Sequence, residues 1–420
     1  MRRQPHSSSS SQHLSMRIAI ANWSNRHVGG LETYVANVSR ALADAGHDIA
    51  FWHEGSAPSD RAPIAFPPQV PLFDAGRDLD LSFESLHTWK PDILFVHGLV
   101  SPDTERKLID QAPAVFFGHG YYGTCITGAK THMFPVARPC DRVFGPACLV
   151  QFYPRRCGGL SPVTMWTEYR RQAARLVNLE RYRGVVVFSE HMRREFVRHG
   201  IPLDRVHRVE PICDPHPGVL RPGKTVEPAR VAFAGRLDKI KGCRLLIAAM
   251  PEVQRLIARR IEPVVVGAGP DETACRHLAA TVMNAHPMVT ITFTGWLSRD
   301  RADAALDSVD AFVLPSLLPE PLGLSGLEAT RRGVPVAAFR AGGIPEWLED
   351  GVNGALAPAD PPTARGLAEA IVRTLTDRRI LASTRARSAD AHATTVSAHV
   401  KQLESIFEQA ASRPAVAGVR

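Results

Sequence analysis

At 420 residues the chain exceeds what one compact core organises and fits two domains of ordinary size. Its 45% hydrophobic and 22% charged content excludes disordered and fibrous classes, and no apolar run nears the roughly 18–20 residues that span a bilayer. The formal charge of +8 favours anionic partners such as phosphates or an acidic membrane face, but the basic residues are scattered and carry no RRM, helix-turn-helix or zinc-finger signature, which sets nucleic acid aside.

Residues 1–15, MRRQPHSSSSSQHLS, start basic but lack an apolar h-region, so they read as a disordered tail rather than a signal peptide. Met16 is an alternative start, and the cytoplasm is the expected compartment. RIAIAN (17–22) reads as a strand, followed by a loop with Gly29 and Gly30. A helix is expected from Leu31 to Ala45, with Leu31, Val35, Val38 and Leu42 on one stripe. HDIAFWH, PDILFVHG, APAVFFGHG and GVVVFSE are further short strands, with a helical pattern over 164–182 before the last. Strands that alternate with helices imply a parallel sheet covered on both faces.

The stretch 120–160 holds four of the seven cysteines, Cys125, Cys140, Cys148 and Cys157. Stable disulfides do not fit a chain without a secretory signal. Four thiolates, with His132 as a substitute ligand, make a candidate structural zinc site. Their spacings of 15, 8 and 9 positions lack the CxxC pairs of zinc ribbons, so unligated thiols are the competing reading.

PICDPHPGVLRPGKTVEP (211–228) has no periodicity and reads as a linker. The alternation then restarts with ARVAFAG, EPVVVGAG, VTITFTGW, DAFVLPS and VPVAAF, helices between them, and a last helix over 392–411. Ligands of such sheets bind where strand ends run into helices. GRLDKIKG (235–242) puts Arg236 and Lys241 at one such place, fit for a diphosphate. GAGP (267–270) lets backbone approach a nucleotide. In PEPLGLSGLEATRRGVP (319–335), Gly323 precedes a helix starting near Ser325, whose free N–H groups and dipole suit a phosphate. Glu320 and Glu328 flank that helix start, in neither case in the apolar surroundings that make a carboxyl a general acid. They read as hydroxyl-binding ligands.

EPLGLSGLE, GVPV (333–336), AGGIPEWLEDGVNG (341–354) and the GRLDKIKG loop together resemble the family 4 retaining glycosyltransferases of the GT-B fold. The likeness is dense over 229–358 and looser in the first half. It implies an α/β architecture of two Rossmann-like, doubly wound parallel-sheet domains facing a central cleft. The acceptor-side domain would span 16–222 with the cysteine-rich insert, the nucleotide-sugar domain 223–391, and 392–420 would return to the first domain. The implied reaction transfers a hexose from a UDP- or GDP-sugar to a hydroxyl acceptor, with no metal or other cofactor needed for catalysis. Arg236 and Lys241 would stabilise the leaving diphosphate, Glu320 would hold sugar hydroxyls and Glu328 the ribose. Gly323 with Leu324 would hold the distal phosphate, and Ser325, Gly267, Gly269 and Gly295 would complete the donor site.

The resemblance also implies that His119 reaches the donor sugar and that Gly29 and Gly30 form the glycine loop of the first domain. His97 reads as structural, and Ser189 as a helix cap. Where relatives carry a Pro-Asn-Gly-Val-Asp-like turn this chain has PICDP, which keeps Asp214 alone. Tyr121, Tyr122, Arg155 and Arg156 are acceptor-side candidates. The basic charge is compatible with a peripheral position at the inner membrane face. An epimerase or sugar phosphorylase on the same fold, or a metal-binding scaffold without enzymatic activity, are the competing functions.

Overall fold

The computed structural model describes residues 15–55, 61–212, 228–390 and 395–414. The expected tail, nearly all of the linker and Asp214 lie outside the described residues. The chain forms two compact units. One runs up to Phe117 and adds Arg181–Gly184 and the residues from Val400 on; the other takes Gly118–Glu180 and Val185–His399.

In the first unit, β1 (Arg17–Ser24), β2 (Asp48–Gly55), β3 (Leu72–Asp74), β4 (Ile93–Val96) and β5 (Ala114–Phe117) are parallel, in the order β3-β2-β1-β4-β5. Every residue of β4 and β5 is buried, as a strand covered on both faces requires. The helix Gly30–Asp44 follows β1 and buries Val35, Val38 and Leu42, three of the four residues of its expected stripe. The helix Val396–Ser412 ends in this unit, where Phe407 lies edge-on to Phe95 at 5.1 Å and His47 bonds to Glu404 at 2.9 Å. His97 is buried between Phe95 and Phe117, so it belongs to this core.

The second unit holds a short antiparallel pair, β6 (Thr131–His132) and β7 (Arg138–Pro139), and a parallel pair, β8 (Gly184–Val187) and β9 (Val206–Arg208). Its main sheet comprises β10 (Ala229–Ala234), β11 (Ile261–Val266), β12 (Thr292–Gly295), β13 (Ala311–Leu314), β14 (Val336–Phe339) and β15 (Gly354–Ala357). All six are parallel, in the order β12-β11-β10-β13-β14-β15. The segment 118–180, expected to belong with the first domain, counts with this unit. Tyr121 donates to the carbonyl of Pro319 at 2.6 Å, and buried Lys130 pairs with buried Glu195 at 2.6 Å.

Candidate active site

The chain reverses its direction of growth across the second sheet at β10. β11 lies on one side of it and β13 on the other, so the loops leaving β10 and β13 diverge and open a crevice at their carboxyl ends. Lys241 comes from the first of these loops and Glu320 from the second. The Lys241 ammonium donates to Glu320 Oε1 at 2.7 Å, and the Ser316 hydroxyl donates to the same oxygen. The Glu320 side chain is 7% exposed and that of Lys241 30%, so a buried carboxylate holds a cation at the mouth of the crevice. Glu320 Oε2 has no hydrogen-bond partner among the described residues and remains able to accept from a ligand hydroxyl.

Backbone crowding fixes this pair. Gly242 has φ +74, and a Cβ there would lie 1.8 Å from the Pro315 carbonyl oxygen. The Leu317 N–H donates to Ile240 O at 2.8 Å, and the Asp238 carboxylate accepts from the Lys241 N–H at 3.1 Å. On the far side of Glu320, the Gly343 N–H donates to its carbonyl at 2.8 Å, and Gly342 has room for no side chain beside it. Tyr121 and Ser189 hold the neighbouring carbonyls of Pro319 and Pro321. Ser189 also caps its helix by accepting from the Met192 N–H at 3.1 Å. The Tyr121 hydroxyl is therefore committed to positioning the Glu320 loop, and Tyr122 lies under the Arg175 guanidinium at 4.2 Å.

The helix Leu324–Arg331 starts directly after Gly323, whose φ of +85 is the left-handed geometry glycine tolerates. Leu324 and Ser325 lie in its first turn, where N–H groups have no intrahelical acceptor. Trp347 closes the back of this turn with its indole N–H on the Leu322 carbonyl at 2.6 Å. Glu328 lies one turn further on, partly buried and 3.4 Å from Arg299 Nη1. Burial pushes its carboxyl up from the ordinary value, with Arg299 pulling it back. The rise comes from burial of the helix against the sheet, a tertiary effect that local polarity does not reveal.

Gly267 and Gly269 are crowded by the protein itself, since Cβ atoms there would lie 2.0 Å from Gly235 O and 2.3 Å from Leu237 O. They dock the β11 loop against the β10 loop that carries exposed Arg236, and the Gly267 N–H bonds to Gly295 O at 2.9 Å. His119 is partly buried, edge-on to Phe188 at 6.5 Å. Burial lowers its pKa to about 3, so the imidazole is neutral at physiological pH. Gly29 and Gly30 lie in the first unit at the start of the helix Gly30–Asp44. Gly29 is extended, at φ −167, and a Cβ on Gly30 would meet nothing within 4 Å. Neither turn geometry nor protein crowding demands these two glycines. The Glu32 carboxylate accepts from the Gly29 N–H at 2.7 Å, so that donor is already used.

Two family descriptions match the chain, glycosyltransferase family 4 over residues 28–216 and glycosyl transferases group 1 over 228–377. The chain belongs to the family 4 glycosyltransferases. It is 28% identical over 252 residues to the GDP-mannose-dependent alpha-(1-6)-phosphatidylinositol monomannoside mannosyltransferase of Mycobacterium tuberculosis, a match covering 59% of this chain and 57% of that one. It is 32% identical over 147 residues to the 2-deoxystreptamine glucosyltransferase of Streptomyces kanamyceticus, covering 35% of this chain and 36% of that one. Matches of this kind span about a third of the length of the first curated relatives. Among solved structures, Anabaena HepE in complex with UDP and glucose superposes with a TM-score of 0.64 at 17% identity, covering 95% of this chain and all of that one. WaaG, a glycosyltransferase involved in lipopolysaccharide biosynthesis, superposes at 0.63 with 16% identity, over 94% of this chain and 98% of that one. These likenesses establish the GT-B fold, with two parallel-sheet α/β domains.

In this family 4 glycosyltransferase the four clustered cysteines line one small cavity together with Lys130 and Arg142. Burial and the three neighbouring cysteines push the Cys157 thiol up to about 12, and burial raises Cys140. Among the described residues no group of three or more His, Cys, Asp and Glu side chains is arranged to hold a metal ion. Nor is any described helix long and apolar enough to cross a membrane.

Acid will destabilise this glycosyltransferase. Burial lowers His119 to about 3 and His399 to about 4 from an ordinary 6.5, so the folded chain binds fewer protons there than the unfolded chain. Their contribution is complete above about 6.5 and is lost as pH falls toward those lowered values. The raised Glu328 carboxyl works in the opposite sense. The expected result is a thermal midpoint that is flat from pH 8 to 7 and drops steadily from pH 6.5 to 4.5. A constant midpoint to pH 4.5 would remove the burial argument for both histidines.

Proposed function

We propose that this protein transfers a hexosyl group from a nucleoside-diphosphate sugar to a hydroxyl acceptor, with retention at the anomeric carbon and without a metal ion. The observation that carries this reading is the Lys241–Glu320 pair at the crevice where the sheet order reverses, beside the helix start at Gly323. Donor phosphates would take the first-turn N–H groups of Leu324 and Ser325 together with Lys241 and Arg236. Glu320 would accept from sugar hydroxyls and Glu328 from the ribose. As the bond from C1 to the diphosphate oxygen breaks, negative charge builds on that oxygen, and the two cations stabilise it in place of a divalent metal. The acceptor oxygen bonds to C1 on the same face, and its proton passes to the departing phosphate. No side chain is assigned as a nucleophile. Neutral His119 would serve as a hydrogen-bonding group toward the sugar.

UDP and GDP are both supported as the donor nucleotide, because HepE is solved with UDP and the mycobacterial mannosyltransferase is GDP-mannose-dependent. The open space at Gly29 and Gly30 suits an acceptor in the first unit. The protein would act in the cytoplasm, at or near the inner membrane face.

The test is incubation with UDP-, GDP- and ADP-sugars, with and without cell extract and EDTA, reading nucleoside diphosphate release and the anomeric proton signal of the product. We expect EDTA-insensitive, acceptor-dependent release with a retained anomer. Failure of every donor to bind or turn over would end the reading. A converted sugar without acceptor, or sugar 1-phosphate release in phosphate buffer, would assign the epimerase or phosphorylase reaction instead.

A further inference from the structure

A second basic cavity, of about 580 Å³, lies in the second unit between the cysteine-bearing segment and the loops after β14 and β15. Arg138, Arg142, Arg155 and Arg340 line it, with His132 beside them. The acidic residues there are Asp141 and Asp360, so positive charge is in excess. Arg138 reaches Asp360 only at 3.7 Å, and Arg340 reaches Asp350 at 3.9 Å, where Arg373 is nearer at 3.0 Å. The guanidiniums of Arg142 and Arg155 have no ion-pair or hydrogen-bond partner among the described residues. Lys130 bonds the backbone carbonyl of Arg142 and is paired with Glu195, so it leaves the Arg142 guanidinium unengaged. The field is felt locally: after burial, Arg155, Arg142 and Arg138 lower the His132 pKa in turn, with Asp141 opposing them.

Four guanidiniums on one concave wall, two of them without carboxylate partners and two in long pairs only, offer the planar fork that phosphate oxygens accept. A cavity lined by one sign of charge also focuses field and concentrates counter-ions. We propose that this cavity binds a phosphate ester, the chemistry shared by a soluble sugar or polyol phosphate and by a lipid phosphate head group. The site is separate from Lys241 and Arg236 and does not depend on the donor reading. It is nonetheless linked to the Glu320 loop through the chain, because Arg340 lies two residues before Gly342, which backs onto the Glu320 carbonyl.

The experiment uses inorganic pyrophosphate as probe, titrated calorimetrically into the wild type, an Arg142→Gln/Arg155→Gln double variant and an Arg236→Ala/Lys241→Ala double variant. Arg142 is exposed, Arg155 partly so, and both lack partners, so their replacement should leave the thermal midpoint unchanged. The expected result is a binding component weakened roughly tenfold or more in Arg142→Gln/Arg155→Gln, retained in Arg236→Ala/Lys241→Ala, and weaker in high salt. A wild type with no such component, or an Arg142→Gln/Arg155→Gln protein that titrates like the wild type, overturns the proposal whatever happens at Lys241. Flotation with phosphatidylglycerol and with phosphatidylcholine vesicles separates the sources. Flotation with the anionic vesicles alone, lost in Arg142→Gln/Arg155→Gln and competed by pyrophosphate, assigns a lipid phosphate. Pyrophosphate binding without flotation assigns a soluble one.

Discussion

Replacing Lys241 by alanine lowers kcat for sugar transfer by about 10²–10³-fold, the loss seen when one preorganised donor to a developing charge is removed. Two effects combine. On the proposed reading the leaving diphosphate would lose its ammonium partner, and Glu320, buried and bonded to Lys241 at 2.7 Å, is left with the Ser316 hydroxyl alone. The second effect has a structural cost of about 1–3 kcal/mol, because an acceptor that is charged and desolvated loses its strongest donor. Lys241→Ala should therefore melt measurably lower than the wild type as well as turn over more slowly. Arg236 separates the two contributions. Its guanidinium is exposed and pairs with no carboxylate among the described residues, so Arg236→Ala should slow nucleoside diphosphate release with an unchanged thermal midpoint. Steady-state release assays and thermal melts on both variants decide the matter. Turnover within about threefold of wild type in both would remove these cations from the leaving-group role, since even one lost contact to developing charge costs more.

The architecture was legible because strand and helix patterns are local. The runs IAIAN and AFVLP and the stripe Leu31, Val35, Val38 and Leu42 carry their period within a few residues. The start of the helix after Gly323 was readable for the same reason, since a glycine there marks a left-handed residue. The partnerships were not readable. Lys241 and Glu320 are 79 positions apart and Tyr121 and Pro319 are 198 apart, and no local pattern encodes either pair. Long-range backbone crowding was equally hidden. The packing of Gly267 and Gly269 against the carbonyl oxygens of Gly235 and Leu237 has no signature in the local sequence. Glu328 shows the same gap for electrostatics, because its raised pKa follows from packing that composition does not record.

Gly242→Ala should be the most damaging single-methyl change in the donor loops. Alanine at φ +74 is strained by about 1–2 kcal/mol before any contact is considered. Its Cβ would also lie 1.8 Å from the Pro315 carbonyl oxygen, part of a backbone that cannot rotate aside as a side chain could. The loops after β10 and β13 must then separate, which breaks the bond from Leu317 N–H to Ile240 O and moves Lys241 away from Glu320. A stability loss of about 3 kcal/mol or more is expected, together with loss of turnover in whatever protein remains folded. Gly30→Ala is the counterpart in the first unit. It adds the same methyl where no protein atom lies within 4 Å, at a helix start where alanine is the better helix former. Its stability should be unchanged or slightly higher. If acceptor approaches that backbone, transfer should nevertheless fall by about tenfold or more, because a misplacement of about 1 Å at a reacting centre is that costly. Chemical denaturation and acceptor kinetics on the two variants test both halves. A Gly242→Ala protein as stable as wild type would mean that the two loops are not held in contact. Wild-type acceptor kinetics in Gly30→Ala would take the glycine pair out of the acceptor site and leave the donor crevice of the second unit as the part of the assignment still standing.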